Sequence, residues 1–352
     1  MNLQKINVVF LGILVIIGLG FVLDFSQPVV LPLVIAFLLL IIFEPVVNRL
    51  TKFNIPRAVG VVIVVVILLG VCVLIGFFFF TSIQSFVKEY PKYIARLNNI
   101  INDIAARLPG RLPFRQDPFT NIDWAKYLQT DKIFSFTGDF TNFLGKVFII
   151  LVILIFLFFE IPHFKGKLSK AFPLHTSRRI GIILEHITRQ VARYLGVKTF
   201  ISFMTGVSVW LCLTIIGMDF PLIWGAIAFF FNFIPNIGSA IVVALTLLMG
   251  FIQFYPSVGR IVAVGATMFG VQLVWGNFLD PKLQGNQLNL SPVIIIASLV
   301  YWGWLWGIVG ALISVPIAAT IKIICENIPY LKPVGVLMGS GKMKKRRKRK
   351  KY

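Results

Sequence analysis

Acidic residues, cysteines and histidines are all scarce in this sequence. Aspartate and glutamate together number 13 against 34 lysines and arginines, and there are three cysteines and three histidines. Cys72, Cys212 and Cys325 lie in three separate apolar runs, which leaves no spacing for a disulfide framework or a metal site. The histidines show no close pairing of the kind that metal ligands need. We therefore expect neither a metal ion nor a cofactor.

Catalytic motifs are missing as well. The chain contains no H-E-x-x-H, no G-x-S-x-G and no clustered pair of carboxylates. The sequence therefore predicts a protein that is not an enzyme.

Apolar residues, in contrast, are abundant. They make up 58% of the chain, charged residues only 13%, and the mean hydropathy is +0.89. These values lie far outside the range of soluble globular proteins. Since about 20 apolar residues span a bilayer as a helix, we predict an all-α, polytopic integral membrane protein with about eight hydrophobic segments. These segments cover residues 6–23, 29–43, 59–81, 147–160, 200–217, 220–254, 261–279 and 292–326.

Two of these segments, 220–254 and 292–326, are too long for one crossing and are interrupted near the middle. As continuous helices each would measure about 52 Å, against a hydrocarbon core of about 30 Å. The interruptions are rich in proline and glycine, at 234–239 and 302–307. Two long crossings or two hairpins are both compatible with the chain, and the length favours hairpins. Each hairpin would follow a single span, which predicts an inverted repeat with a transport site between the broken segments.

Basic residues indicate which side of the membrane each loop faces. Segments 44–58 and 161–199 are rich in lysine and arginine, so the positive-inside rule puts them in the cytoplasm together with both termini. The chain ends in a basic tail, 342–351, which we expect to bind anionic lipid headgroups. Nucleic-acid binding is not expected, because the tail has neither a folded module nor interleaved aromatic residues.

Apolar periodicity in the polar segments predicts two amphipathic helices, one after Phe86 on the outside and one over 179–198 in the cytoplasm. Either helix could lie on the membrane surface or pack on a neighbour. The predicted organisation has six parts. They are three N-terminal spans at 1–81, an external segment at 82–146, a fourth span at 147–160, a cytoplasmic helix at 161–199, a transport core at 200–326 and a cytoplasmic tail at 327–352.

Several motifs resemble those of the autoinducer-2 exporter family, also called PerM-type permeases. They are Ile234-Pro235-Asn236-Ile237-Gly238-Ser239, Asn277-Phe278-Leu279-Asp280-Pro281 and the run from Trp302 to Pro316, with Tyr194-Leu195 and Glu44-Pro45 in support. The resemblance implies a bacterial inner-membrane protein that exports autoinducer-2, a quorum-sensing signal, or a similar small polar metabolite. It also implies a homo-oligomer, expected to be a pentamer. Some members of the wider family resemble sodium/proton antiporters, which is the alternative function. A non-transporting oligomeric scaffold is a third.

A hydroxyl-rich solute needs hydrogen-bonding groups in dry surroundings, and polar groups inside a membrane are functional candidates by default. The amides and hydroxyls could equally join helices together, and the tryptophans could anchor the chain at the interface. The candidates for substrate binding are Asn232, Pro235, Asn236, Gly238, Ser239, Gln272, Asn277, Ser291, Trp302 and Trp304.

Energy coupling is weakly indicated. The acidic residues Glu44, Glu160, Asp280 and Glu326 lie near the ends of apolar runs, whereas a proton relay normally needs a group inside the membrane. The sequence favours efflux down the solute gradient, or an ion held by backbone carbonyls. Asp280 and Glu160 are the weak candidates for coupling, with capping or interfacial roles expected first.

Overall fold

The computed structural model describes residue 18 and residues 20–107, 130–285 and 288–341. Most of the first apolar run, the middle of the predicted external segment and the basic tail lie outside these residues.

The described chain is built from helices, and no strand occurs in it beyond one isolated bridge between Leu290 and Gly339. The α-helices are α1 (Gln27–Lys52), α2 (Arg57–Arg107), α3 (Thr130–Ala171), α4 (Leu174–Ile216), α5 (Pro221–Phe231), α6 (Ile237–Phe254), α7 (Val258–Val271), α8 (Asp280–Gln284), α9 (Pro292–Asn327) and α10 (Lys332–Leu337). A π-helix, Gln272–Leu279, joins α7 to α8, and a 3₁₀ turn, Pro329–Leu331, precedes α10.

Seven helices in the described part of the chain are long and apolar enough to cross a membrane, and the shorter apolar helix α5 accompanies them. Large apolar side chains are exposed on these helices, with Phe156 72% and Ile215 85% exposed. Exposed apolar surface of this extent is typical of lipid-facing helices. The predicted all-α, multi-pass membrane protein is confirmed.

Three helices are much longer than a bilayer is thick. At ~1.5 Å per residue, α2 measures about 77 Å, α4 about 65 Å and α3 about 63 Å, at least twice a hydrocarbon core of ~30 Å. α2 and α4 each join an apolar half to a polar half in one continuous helix, and Pro91 in the polar half of α2 does not end it. The amphipathic patterns after Phe86 and over 179–198 thus belong to continuations of membrane-spanning helices.

The chain divides into two compact units. The first contains Met1–Arg49, Ile153–Lys198 and Gln284–Tyr352, and the second contains Leu50–Val152 and Thr199–Leu283. The two broken segments of the predicted transport core therefore belong to different units.

The core of the first unit brings together side chains of α1, α4 and α9. Leu38 and Ile41 of α1 pack with Val191 and Tyr194 of α4 and with a row of small residues on the second half of α9. Because Val315, Ala318 and Ala319 are small, the helices can approach closely in the absence of a strong hydrophobic force in lipid.

The core of the second unit is formed by α4, α5, α6 and α7, with one aromatic side chain from α2. Leu213, Val242 and Val264 are almost completely buried there, and Tyr93 of α2 packs against them. This unit contains the first broken segment and the π-helix, and hence most of the predicted site.

Candidate functional site

The first broken segment, α5 and α6, is interrupted at residues 232–236. Asn236 has φ +60° and ψ −46°, a combination outside the left-handed helical region that asparagine favours, and its backbone oxygen accepts a hydrogen bond from the N–H of Ala240 in the first turn of α6. The backbone oxygen of Asn236 accepts a hydrogen bond from Ser239 Oγ at 3.2 Å. Pro235 has no N–H to donate to a helical hydrogen bond, which favours a break at this point. The two arms pack against each other as separate helices.

Gly238 makes the return of the chain possible. A Cβ atom at Gly238 would lie 1.8 Å from the carbonyl oxygen of Phe231, the last residue of α5. No side chain fits in that distance, so the first turn of α6 lies directly on the end of α5. Glycine at this position is required by contact rather than by its backbone angles.

A small cavity lies beside the break and collects three of the predicted residues. Asn232, Ser239 and Gln272 line it together with Thr205 of α4, and the rest of its lining is apolar. The centre of a water molecule can move within ≈ 10 Å³, which is room for about one water. The apolar lining consists of Val209, Ala228, Val242, Val243, Met268 and Val271.

The polar groups of this cavity are partly engaged already. Asn232 is 6% exposed, and its Nδ2 donates to Ser202 Oγ at 3.0 Å. Thr205 Oγ1 donates to the carbonyl oxygen of Ile201 at 2.8 Å. Since an amide has two donors and an acceptor oxygen and a hydroxyl keeps its lone pairs, Asn232 and Thr205 can each make further hydrogen bonds with a solute.

The π-helix places Gln272 at the cavity. Its wider turn brings Gln272 over Gly276, where a Cβ atom would lie 2.3 Å from Gln272 Nε2. Three residues after Gln272, Trp275 Nε1 donates a hydrogen bond to Ser208 Oγ of α4 at 3.0 Å. π-Helical turns are rare and are frequent at functional sites. Hydropathy gave no signal for this element.

Asn277, also in the π-helix, is exposed and does not line the cavity. The two candidates for energy coupling, Asp280 and Glu160, do not line the cavity either. Asp280 is partly buried where α8 begins, and Glu160 is exposed on α3 and pairs with Lys167 at 2.5 Å.

The second broken segment, α9, is interrupted at Trp306 and Gly307, within the predicted interruption at 302–307. Trp302 is partly buried and lies 4.6 Å from Trp306, ring centre to ring centre, whereas Trp304 is 78% exposed. Ser291 caps the start of α9, and its backbone N–H donates to the carbonyl oxygen of Met338 at 2.9 Å.

In both breaks a glycine packs directly against a backbone carbonyl group. A Cβ atom at Gly310 would lie 1.9 Å from the carbonyl oxygen of Trp302, and a Cβ atom at Gly238 would lie 1.8 Å from that of Phe231. Each broken segment starts with proline, Pro221 or Pro292. The glycines occur in similar contexts, Ile237-Gly238-Ser239-Ala240 and Val309-Gly310-Ala311-Leu312. The likeness supports a repeat, while its inversion across the membrane stays a prediction.

A polar cluster, absent from the sequence-based prediction, fixes the open end of the first broken segment. Asp219, just before α5, accepts hydrogen bonds from Tyr93 Oη at 2.7 Å and Lys92 Nζ at 3.1 Å, both on α2. Gln253 lies at the end of α6. Its side-chain Oε1 accepts a hydrogen bond from the backbone N–H of Asp219 at 2.8 Å, and its backbone oxygen accepts one from Arg96 at 2.9 Å. These contacts, which we call the clasp, join the start of α5 and the end of α6 to α2.

A further contact extends the clasp along α2. Tyr255 donates a hydrogen bond to the Asp103 carboxylate. This hydrogen bond raises the pKa of Tyr255 above its usual value. No pattern in the sequence pairs residues so far apart in the chain.

Comparison with known proteins identifies the family. The sequence profile of the AI-2E family transporters matches residues 11–330. The chain belongs to the AI-2E transporter family. The resemblance found in the motifs is confirmed.

Several family members align over nearly the whole chain. A protein of Borreliella burgdorferi with a general transport-protein name is 32% identical over 339 residues, 96% of this chain and 91% of its own. The AI-2 transport protein TqsA of Escherichia coli K12 is 29% identical over 338 residues, 94% of both chains. YhhT of the same strain is 29% identical over 326 residues, 91% of both. The AI-2E match and these relatives make this chain a multi-pass membrane transporter.

Proposed function

We propose that this transporter exports a small, hydroxyl-rich metabolite, autoinducer-2 or a close chemical relative, by alternating access at its broken segments. The observation that carries the proposal is the cavity at the first break, where the chain's interruption, α4 and the π-helix each contribute a polar side chain. Polar groups gathered inside an apolar membrane unit are costly unless they are satisfied, which makes them candidates for solute binding. The relative TqsA, named as an AI-2 transport protein, supports the choice of solute.

The cavity suits hydroxyl groups better than ions. Asn232, Ser239, Gln272 and Thr205 are neutral and supply both donors and acceptors. With room for about one water molecule, the cavity is far smaller than the ~300 Å³ of a typical small-molecule pocket. The described conformation is therefore a closed one, and solute entry requires the broken segment to move.

The interruption at 232–236 is the natural place for that movement. The N–H groups of Phe233 and Ile234 bond only three residues back, Pro235 has no N–H to donate, and the two arms are separate helices. In the first unit, α9 carries the same glycine-on-carbonyl contact at its own break. Two broken segments of one design support a mechanism in which each opens in turn.

The cellular setting belongs to the same proposal. We place the protein in the bacterial inner membrane with both termini in the cytoplasm, as a homo-oligomer, most simply a pentamer. The basic tail then contacts anionic lipid at the cytoplasmic surface. Export of a quorum-sensing signal fits this location, and no enzymatic step is needed for it.

Flux measurements in proteoliposomes test the proposal. Purified protein should accelerate efflux of labelled autoinducer-2, and Asn232→Leu, which keeps the volume but removes the amide, should abolish most of that flux. Asn102→Ala, at an exposed position on the polar half of α2, is the matched control and should transport normally. Proton release on addition of sodium, without movement of labelled solute, would instead support the antiporter. Folded oligomers with neither flux would support the scaffold.

A further inference from the structure

The second unit contains another cavity, which lies between α2, α4 and α5. The centre of a water molecule could move within ≈ 360 Å³ of it, against ≈ 10 Å³ in the cavity at the first break. Every described residue that lines it is glycine, aliphatic or aromatic, and phenylalanine is the most frequent. We call it the apolar groove. It is separate from the solute cavity, because no described residue lines both.

Two glycines that line the groove mark the contact between α4 and α5. A Cβ atom at Gly206 would lie 2.7 Å from the carbonyl oxygen of Gly225, and a Cβ atom at Gly225 would lie 2.7 Å from that of Gly206. The two backbones therefore touch, as small residues allow in membrane helices. Since neither glycine has a side chain to fill the space beside this contact, a recess remains between the larger side chains of the three helices.

Aromatic rings join the walls of the groove. The rings of Phe79 on α2 and Phe230 on α5 lie 5.8 Å apart, centre to centre, and the ring of Phe229 lies 4.9 Å from that of Phe230. These contacts connect α5, the first arm of the broken segment, to the membrane-spanning half of α2. The groove is therefore a recess with fixed walls and not one face of a single helix.

The groove opens towards the bilayer. Among its lining residues, Val71 is 46% exposed and Phe203 is 54% exposed. Both belong to the apolar stretches 59–81 and 200–217 of membrane-spanning helices. The surroundings of these side chains are the hydrocarbon tails of lipids.

Physical chemistry restricts what can fill this space. A buried water molecule needs two to four polar partners, and the only polar side-chain atom among the described lining residues is Trp210 Nε1. An empty recess would leave the lining atoms without van der Waals partners. An apolar cavity of only about 150 Å³ stays dry and binds benzene or xenon. The occupant of the groove is therefore apolar, which also excludes the polar solute.

The length of the groove suits a lipid tail. From Val71 to Phe79 it follows α2 for about 12 Å, at ~1.5 Å per residue. One leaflet contributes half of a hydrocarbon core of ~30 Å, or about 15 Å. A helix of a second copy would pack with its axis 8–10 Å from its neighbour, and it would bring only separate side chains into a recess between helices.

We propose that the apolar groove binds an acyl chain of a membrane phospholipid. The bound chain contacts the same two helices that hold the solute cavity, because α4 and α5 contribute adjacent residues to the two spaces. Thr205 and Ala228 line the solute cavity, and Gly206 and Phe229 line the groove. Movement of α5 therefore changes the space that is available to the chain. The proposal does not depend on which solute is exported.

Photolabelling tests the groove without requiring transport. The probe is a phosphatidylcholine with a diazirine in the middle of one acyl chain, mixed into phosphatidylcholine vesicles that contain the full-length protein. Mass spectrometry then locates the labelled residues. Phe203 in the groove should be labelled about tenfold more strongly than Phe269, an exposed phenylalanine of α7 outside the groove, a ratio that corresponds to a preference of about 1.4 kcal/mol over bulk lipid.

Two results of this experiment overturn the proposal. Equal labelling of Phe203 and Phe269 would show that lipid contacts the groove only as it contacts any apolar surface. Labelling of Phe269 without labelling of Phe203 would show that protein covers the groove, either a second copy of the chain or its N-terminal apolar run.

Variants that fill the groove provide the control. Ala226→Phe places a ring in the groove from α5, so labelling of Phe203 should fall about tenfold, to the level of Phe269. Ala266→Phe makes the same change at an exposed position of α7 and should leave the labelling of Phe203 as it is in the wild type. Val207→Phe fills the groove from α4 and serves if Ala226→Phe does not fold. Undiminished labelling of Phe203 in a folded groove-filling variant contradicts the proposal.

Discussion

Of the residues at the first break, Gly238 should tolerate amino-acid substitution least. Even alanine places its Cβ 1.8 Å from the Phe231 carbonyl oxygen, and overpacking of this kind costs about 3 kcal/mol or more. We predict that Gly238→Ala lowers the melting temperature and the flux together. Gly270→Ala in α7, where a Cβ meets nothing within 4 Å, should be neutral or stabilise by about 0.4–1 kcal/mol. Thermal unfolding in detergent compares the two, and equal melting temperatures would contradict the contact.

Asn232 is the residue we expect to contact solute. Asn232→Ala removes hydrogen bonds worth about 0.5–1.5 kcal/mol, which weakens apparent solute affinity by up to about tenfold. Ser202→Ala removes only the partner of Asn232 Nδ2, so its effect should be smaller. The concentration dependence of flux at equal membrane abundance measures both. Normal affinity in Asn232→Ala would contradict solute binding in this cavity, and Asn277, the predicted residue that does not line it, would be tested next.

At the scale of elements, the clasp joins α2 to both ends of the first broken segment. Asp219→Ala leaves the buried Tyr93 hydroxyl without its acceptor, which should lower the free energy of unfolding by about 1–3 kcal/mol. Because Tyr93→Phe removes the same hydrogen bond from the other side, we predict that the double variant is less destabilised than the sum of the single ones. Glu89→Gln, which alters only the exposed Lys92–Glu89 pair, should change stability little. Additive losses in a double-mutant cycle would show that the two side chains act independently.

The helices could be predicted from the sequence wherever a run of apolar residues marks them. The apolar run 292–326 coincides with α9, and run 261–279 covers most of α7 and the π-helix. The change from α to π geometry was not predictable, since it alters hydrogen bonding by one residue without altering the apolar pattern. The clasp was not predictable either, because it depends on side chains that only the folded chain brings together.

The candidate site was predictable in part for the same reason. Asn232, Ser239 and Gln272 stand out as polar residues in apolar runs, and the structure gathers them around one cavity. Thr205 was missed because threonine on a membrane-spanning helix usually bonds to its own backbone, as it does here.

At the scale of the whole molecule, the topology remains to be tested. The continuous stretch Val258–Gln284 is long enough to cross once, so Ser257 and Lys282 should lie on opposite sides of the membrane. In a background without Cys72, Cys212 and Cys325, a cysteine at Lys282 should react with an impermeant thiol reagent only from the cytoplasm. A cysteine at Ser257 should react only from outside. Both positions are exposed, and labelling of both from one side would contradict the predicted arrangement.

The length of α2 has a practical consequence for imaging. A multi-pass membrane protein is normally a difficult target for electron microscopy, because a detergent micelle hides most of its features. Even at a tilt of 40°, a hydrocarbon core of ~30 Å accommodates only about 39 Å of helix, so roughly half of α2 must project into water. This rod, held along its length by contacts of Tyr93, Arg96 and Asp103, gives each particle a landmark by which its orientation can be assigned.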